Sequence, residues 1–169
     1  MSKYSFKNDN EETKQLMMRE FLDDCSNGRV YFGERLKKSK QVIYQDLFKQ
    51  AIENMDLESF VIKLYDSEFW EEFEVDKNGV QKKINTERAA IILAEGEFNR
   101  LYIRAVCLAA EEKKQKVTIY RFRDSKTPDP VSEAKIGTSY DPKTIYDDVK
   151  NNLETKYLPR PSSGISIYY

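Results

Sequence analysis

Apolar residues recur at helical spacing along most of the chain. The longest such run is Thr86 to Lys113, TERAAIILAEGEFNRLYIRAVCLAAEEK. One face reads Ile91, Glu95, Phe98, Tyr102, Ala105 and Ala109; a second reads Ile92, Gly96, Asn99, Ile103, Val106 and Ala110. The pattern predicts one helix over about 86–113, buried over much of its girth. Thr86 is placed to cap it, Glu87 suits the positive end of the dipole, and Lys113 and Lys114 suit the other end. A third face carries Glu97, Arg100, Arg104 and Glu111, at a spacing that predicts solvent-exposed ion pairs.

Shorter runs behave alike. A helix is expected from about Asn10 to Cys25, with Leu16, Met17 and Phe21 inward. Another spans about Ser39 to Met55, with a stripe of Val42, Ile43, Leu47, Ala51 and Ile52. Asp56 then caps a short helix that buries Leu57, Phe60, Val61 and Leu64. Asp141-Pro142 opens a C-terminal helix over about 142–153, burying Ile145, Tyr146, Val149 and Leu153.

Period-two patterning is clearest at Val117 to Arg123, VTIYRFR. It sets Val117, Ile119, Arg121 and Arg123 on one face and Thr118, Tyr120 and Phe122 on the other. Residues 165–169 read as a strand beside it. Asp76-Lys77-Asn78-Gly79 has hairpin chemistry, joining strands near 72–75 and 80–84. Arg29 to Gly33 and Glu133 to Gly137 are expected as brief extended segments, and Met1 to Asn8 as an arm or edge strand. Helices come first and strands mixed with a helix follow, which implies an α+β fold. The expected organisation is a single domain over 1–169, with a helical N-terminal half (1–65). Residues 66–169 then supply a hairpin, the long central helix and a small, mostly antiparallel sheet including 117–123 and 165–169.

Composition narrows the chemistry. The chain has no histidine, which excludes a Ser-His-Asp triad, a Cys-His pair and histidine metal ligands. No G-x-x-x-x-G-K or G-x-G-x-x-G is present. Two cysteines, Cys25 and Cys107, cannot build a disulfide framework or a structural zinc site. A reducing, cytoplasmic location is expected, with no membrane span, cofactor or metal site implied.

Four constellations remain. Glu95 and Asn99 sit on apolar faces, where a polar group needs a partner. With Arg100 and Arg104 they are candidates for a Mg²⁺-dependent enzyme acting on nucleic acid or phosphate compounds; the alternative is a buried network that fixes packing. Gly96 implies close approach of another backbone. From Asp66 to Asp76 there are six acids and no Lys or Arg, interleaved with aromatics. Phe69, Trp70, Glu71, Glu72 and Phe73 could form a protein-contact patch, or Trp70 could plug the core. Arg121 and Arg123, with Lys114 and Lys116, offer cations to nucleic acid, although alternation aims rings and guanidiniums apart. Arg160, Ser162 and Ser163 could hold an anion. The leading expectation is a non-catalytic module that binds another protein, such as the inhibitors and adaptors that phages and mobile elements encode. The Mg²⁺ enzyme and a nucleic-acid binder using strand 117–123 are the alternatives.

Overall fold

In the computed structural model, which describes residues 3–169, Asn85 rather than Thr86 caps the central helix. Its side chain accepts the Arg88 N–H at 2.9 Å. The helix then runs without a break through α4 (Thr86–Ala90), a π-helical turn (Ile91–Glu95) and α5 (Gly96–Glu112), with helical angles at both junctions. The π-turn inserts one residue into the helical repeat. Upstream positions are thereby rotated by about 100° from the phase of a straight helix. Ala89, Ala90, Leu93 and Ala94 face inward as a result, while Ile91 is half-buried and Ile92 is 43% exposed. A straight 3.6-residue phase puts both isoleucines inside, and the inserted residue is why it fails.

The third helical face differs more from expectation. Arg104 is buried against Glu20 and Asp24 of α1 (Glu11–Ser26), and Arg100 reaches the end of α7 (Pro142–Asn151). Those residues are covered because α1 and α7 flank α5 and supply the groups that pair them. The central helix is thus covered on nearly every side from Phe98 to Ala110.

Asn10 caps α1 through the Thr13 N–H, and Asp56 caps α3 (Leu57–Lys63) through Ser59. In α2 (Gln41–Asn54) the inward stripe is Tyr44, Phe48, Ala51 and Ile52. Val42 and Ile43 are exposed instead. Ring packing decides the phase: Phe48 stacks on Phe60 at 5.1 Å and meets Phe21 at 5.0 Å. Leu153, beyond the end of α7, is also exposed.

β3 (Val117–Arg121) is the middle strand of an antiparallel sheet, between β4 (Ser139–Tyr140) and β5 (Ile165–Tyr168). Both of its faces are covered, since Val117 and Ile119 on one and Tyr120 and Phe122 on the other are all buried. The N-terminal segment covers the second face. Tyr4 bridges to Arg123, and Phe6 packs between Phe98, Tyr102 and Phe122. Residues 133–137 are not a strand; they end α6 (Pro130–Glu133) and turn into β4. Residues 29–33 are irregular. β1 (Phe73–Val75) and β2 (Gln81–Lys83) form a separate two-stranded hairpin. Buried side chains from the helices and the three-stranded sheet make one hydrophobic cluster. Among the described residues no helix is long and apolar enough to cross a membrane.

Candidate functional site

The π-turn divides the sequence-predicted site residues into two groups. Glu95, its last residue, is 0% exposed and accepts the Arg123 Nε–H at 2.7 Å. Burial raises its carboxyl above the usual range, and Arg123 and Tyr4 pull it back. Asn99, one turn on, donates to Pro161 O and Ile165 O, both at 2.8 Å. These contacts tie the helix to the turn before β5. Gly96 completes the seam, because a Cβ there would sit 3.8 Å from that of Ser162. Glu95 and Asn99 therefore face the 161–165 turn, whereas Arg100 and Arg104 face α7 and α1. The four residues do not converge on one site. Among the described residues no group of three or more Asp, Glu or Cys side chains is arranged to hold a metal ion.

On the far side, Arg104 Nε bonds Glu20 at 2.7 Å and its Nη1 bonds Asp24 at 2.5 Å. Tyr146 also donates to Glu20, at 2.9 Å, and accepts from Lys150 at 2.8 Å. Arg100 donates to Val149 O, Asn152 O and Leu153 O, satisfying carbonyls that the end of α7 leaves open. Only its Nε reaches Glu97, at 3.3 Å. The Glu97 side chain is 14% exposed. Burial raises its carboxyl from 4.5 to about 7, against the lowering effect of Arg100.

The basic strand is internally neutralised. Arg123 is held by Glu95 and Arg121 by Glu133, while Lys114 and Lys116 lie exposed beyond the helix end. The four cations form no continuous face. Arg160, Ser162 and Ser163 line a cleft of about 540 Å³. There the Ser163 N–H is already bonded to Arg160 O, and Asp129 and Glu154 share the wall. That weakens the case for an anion.

The acidic-aromatic stretch is rearranged in a more informative way. Trp70 is 2% exposed and donates its indole N–H to Leu64 O at 2.7 Å. Phe69 is buried as well. Neither is available as an exposed anchor, since the short helix at Ser67–Phe69 turns both rings inward. Three of the acids acquire partners from elsewhere: Glu68 from Lys40, Glu74 from Arg35 and Asp76 from Lys82. Glu71, Glu72 and Phe73 remain at the surface.

Trp70 also forms the wall between two clefts at the base of the hairpin. One, of about 330 Å³, includes Glu68, Glu71, Glu72 and Lys83. The other, of about 220 Å³, lies against the π-turn. Its apolar wall is Tyr31, Phe32, Ile92 and Leu93, and its polar wall is Glu34, Arg35, Glu74 and Glu97. A π-turn, a concave site and a carboxyl shifted by burial meet here. Sequence reasoning missed this cleft: Glu97 looked like a solvated ion-pair residue, and residues 31–35 carried no motif.

The hairpin has open edges. Asp76 N–H bonds Val80 O and Ile84 N–H bonds Glu72 O. Bonded and non-bonded pairs alternate in an antiparallel ladder. The Phe73↔Lys83 and Val75↔Gln81 pairs are consequently non-bonded, and their backbone N–H and C=O groups point away from the partner strand. Among the described residues nothing takes up those of Phe73 and Val75. Their side chains share one face and are 45% and 69% exposed, with Val80 at 52% beside the turn. Compared with known protein families, characterised proteins and solved structures, the chain shows no match.

Proposed function

We propose that the protein is a non-catalytic binding module that receives an extended segment of another protein along the outer edge of β1. The open edge carries this reading. A bare strand edge templates the addition of a further strand, and alternate side-chain positions supply specificity. Lysines shield the other edge, where Lys82 and Lys83 lie on β2, whereas β1 offers Phe73 and Val75 with no Lys or Pro. Glu71 and Glu72 precede it with no ion pair among the described residues, which favours a segment bearing Lys or Arg. The Glu71 N–H is taken by Arg35 O, so the open stretch begins at Phe73. An inhibitor or adaptor, of the sort that mobile elements encode, fits a small module whose candidate residues Glu95, Asn99, Arg100 and Arg104 do not converge. The free thiols Cys25 and Cys107 accord with a reducing, cytoplasmic setting.

Panning a random-peptide display library tests this. The expected winners alternate β-branched or aromatic residues with Lys or Arg. Val75→Pro removes an outward N–H without touching the core and should abolish their binding while the circular dichroism spectrum is unchanged. No enrichment, or enriched peptides that bind the proline variant equally, would overturn it.

A further inference from the structure

The cleft at the π-turn has a chemistry of its own. At about 220 Å³ it is smaller than the roughly 300–1,000 Å³ of drug-sized sites, and its scale is that of one side chain. Its aromatic and aliphatic wall suits an alkyl stem, and ring faces attract cations. Its polar wall carries a surplus of carboxylates: Arg35 is spent on Glu74, at 2.6 Å, leaving Glu34 and Glu97 without a matching cation inside the cleft.

Glu97 is the telling member. Around it stand Asp24 of α1, Tyr44 of α2, Glu74 of β1, Arg100 and Arg104 of α5 and Lys150 of α7. Arg29, Tyr31, Glu34 and Arg35 face it from the segment before α2. The nearby bases are committed elsewhere. Arg29 serves Asp23 and Asp24, Arg104 serves Glu20 and Asp24, and Lys150 bonds Tyr146. Arg100 spends its terminal nitrogens on α7 and offers Glu97 a single long bond. Among the described residues no bond reaches the second Glu97 oxygen. A nearly buried carboxylate with spare acceptor capacity favours a cationic donor, since a charge-assisted bond in a low-dielectric site is strong.

We propose that this cleft is a receptor for one primary ammonium or guanidinium group carried on an aliphatic stem, with Glu97 as its counter-ion and Glu34 at the mouth. Binding is coupled to proton release, because the cation requires ionised Glu97, whose carboxyl lies at about 7. Affinity therefore rises about tenfold from pH 6 to pH 8, the change in the ionised fraction across that interval. The inference does not depend on strand addition, since it is tested with small cations and either reading can fail alone.

Trp70 is the chain's single tryptophan and lines the cleft, so its fluorescence reports occupancy. Butylamine and butylguanidine are titrated at pH 6 and pH 8, with 1-butanol as the neutral control. A saturable change with the cations, absent with butanol and about tenfold tighter at pH 8, is expected. Glu97→Gln should weaken binding about tenfold at pH 8 and remove the pH dependence. Glu34→Lys, at an exposed position, should weaken it without threatening the fold. No saturable change, equal response to butanol, or unaltered affinity in a folded Glu97→Gln protein would overturn the proposal. N-acetyl-arginine amide separates the sources: binding as tight as butylguanidine indicates a partner's side chain, and weaker binding a free amine.

Discussion

Replacing Arg104 by Met tests whether the buried ion cluster organises the interface of α1, α5 and α7. Methionine keeps most of the side-chain volume and removes the charge. The guanidinium makes four bonds to Glu20 and Asp24. Breaking a buried pair by deleting one partner typically costs about 3–5 kcal/mol, because the survivor is left charged and dry. Here the survivors keep some company. Tyr146 still donates to Glu20, Lys150 lies 3.6 Å from it, and Arg29 Nε lies 3.2 Å from Asp24. The low end, about 3 kcal/mol, is therefore expected. For a chain of this size that corresponds to a fall in Tm of roughly 6–12 °C. With an m-value of about 2 kcal/mol/M, the urea midpoint drops by about 1.5 M. Urea unfolding followed by Trp70 fluorescence measures it. A companion variant, Glu20→Leu with Asp24→Leu and Arg104→Met, removes the three buried charges together, leaving Arg29 and Lys150 to Asp23, and should recover most of the loss. A single-variant loss under about 1 kcal/mol, or a triple variant as unstable as the single one, would refute the reasoning.

Two other perturbations carry signed expectations. The Glu97 carboxyl is raised from 4.5 to about 7 on folding, so between those values the folded chain holds a proton that the unfolded chain has lost, and stability falls as pH rises through the window. The full shift corresponds to about 3 kcal/mol, an upper bound given partial solvent contact. Glu97→Gln should therefore be the more stable protein at pH 8 and lose that slope, and matching urea curves for the two proteins at pH 5 and pH 8 would contradict this. Gly164 has φ +80°, and a Cβ there would lie 2.8 Å from Arg123 O. Gly164→Ala should destabilise by about 1–3 kcal/mol through backbone strain and a displaced Arg123, and a change within about 0.5 kcal/mol in urea unfolding would rule that out.

Local chemistry was legible where one residue decides an outcome. Asn10, Asp56 and Asp141 cap the helices they precede, and Asn78-Gly79 turns the hairpin. What escaped depended on neighbours far away in sequence. Val42 and Ile43 have the right spacing for burial, yet the aromatic stack of Phe21, Phe48 and Phe60 selects another face of α2. Arg104 resembles a surface residue until α1 brings two acids to it, 80 and 84 positions away. The π-turn leaves no mark in a periodicity read over short windows, yet it sets the phase of Ile91 and Ile92 and shapes the cleft beside them. The polar network at Glu95 and Asn99 was visible as an anomaly; its partners, Arg123 and the 161–165 turn, were not.

The stitching of the N-terminal segment bears on how the chain is made. Ser5 N–H bonds Phe122 O, Asn8 N–H bonds the Tyr102 hydroxyl, and Tyr169 N–H bonds the Asn8 side chain. Residues 5–8 thus bond to groups between 94 and 161 positions further along the chain. Until that segment docks, the aromatic face of β3 that Phe6 covers stays open to water. Long-range closures of this kind slow folding and prolong exposure of sticky surface, so a nascent chain whose 5–8 segment is still undocked would be the form most in need of a chaperone.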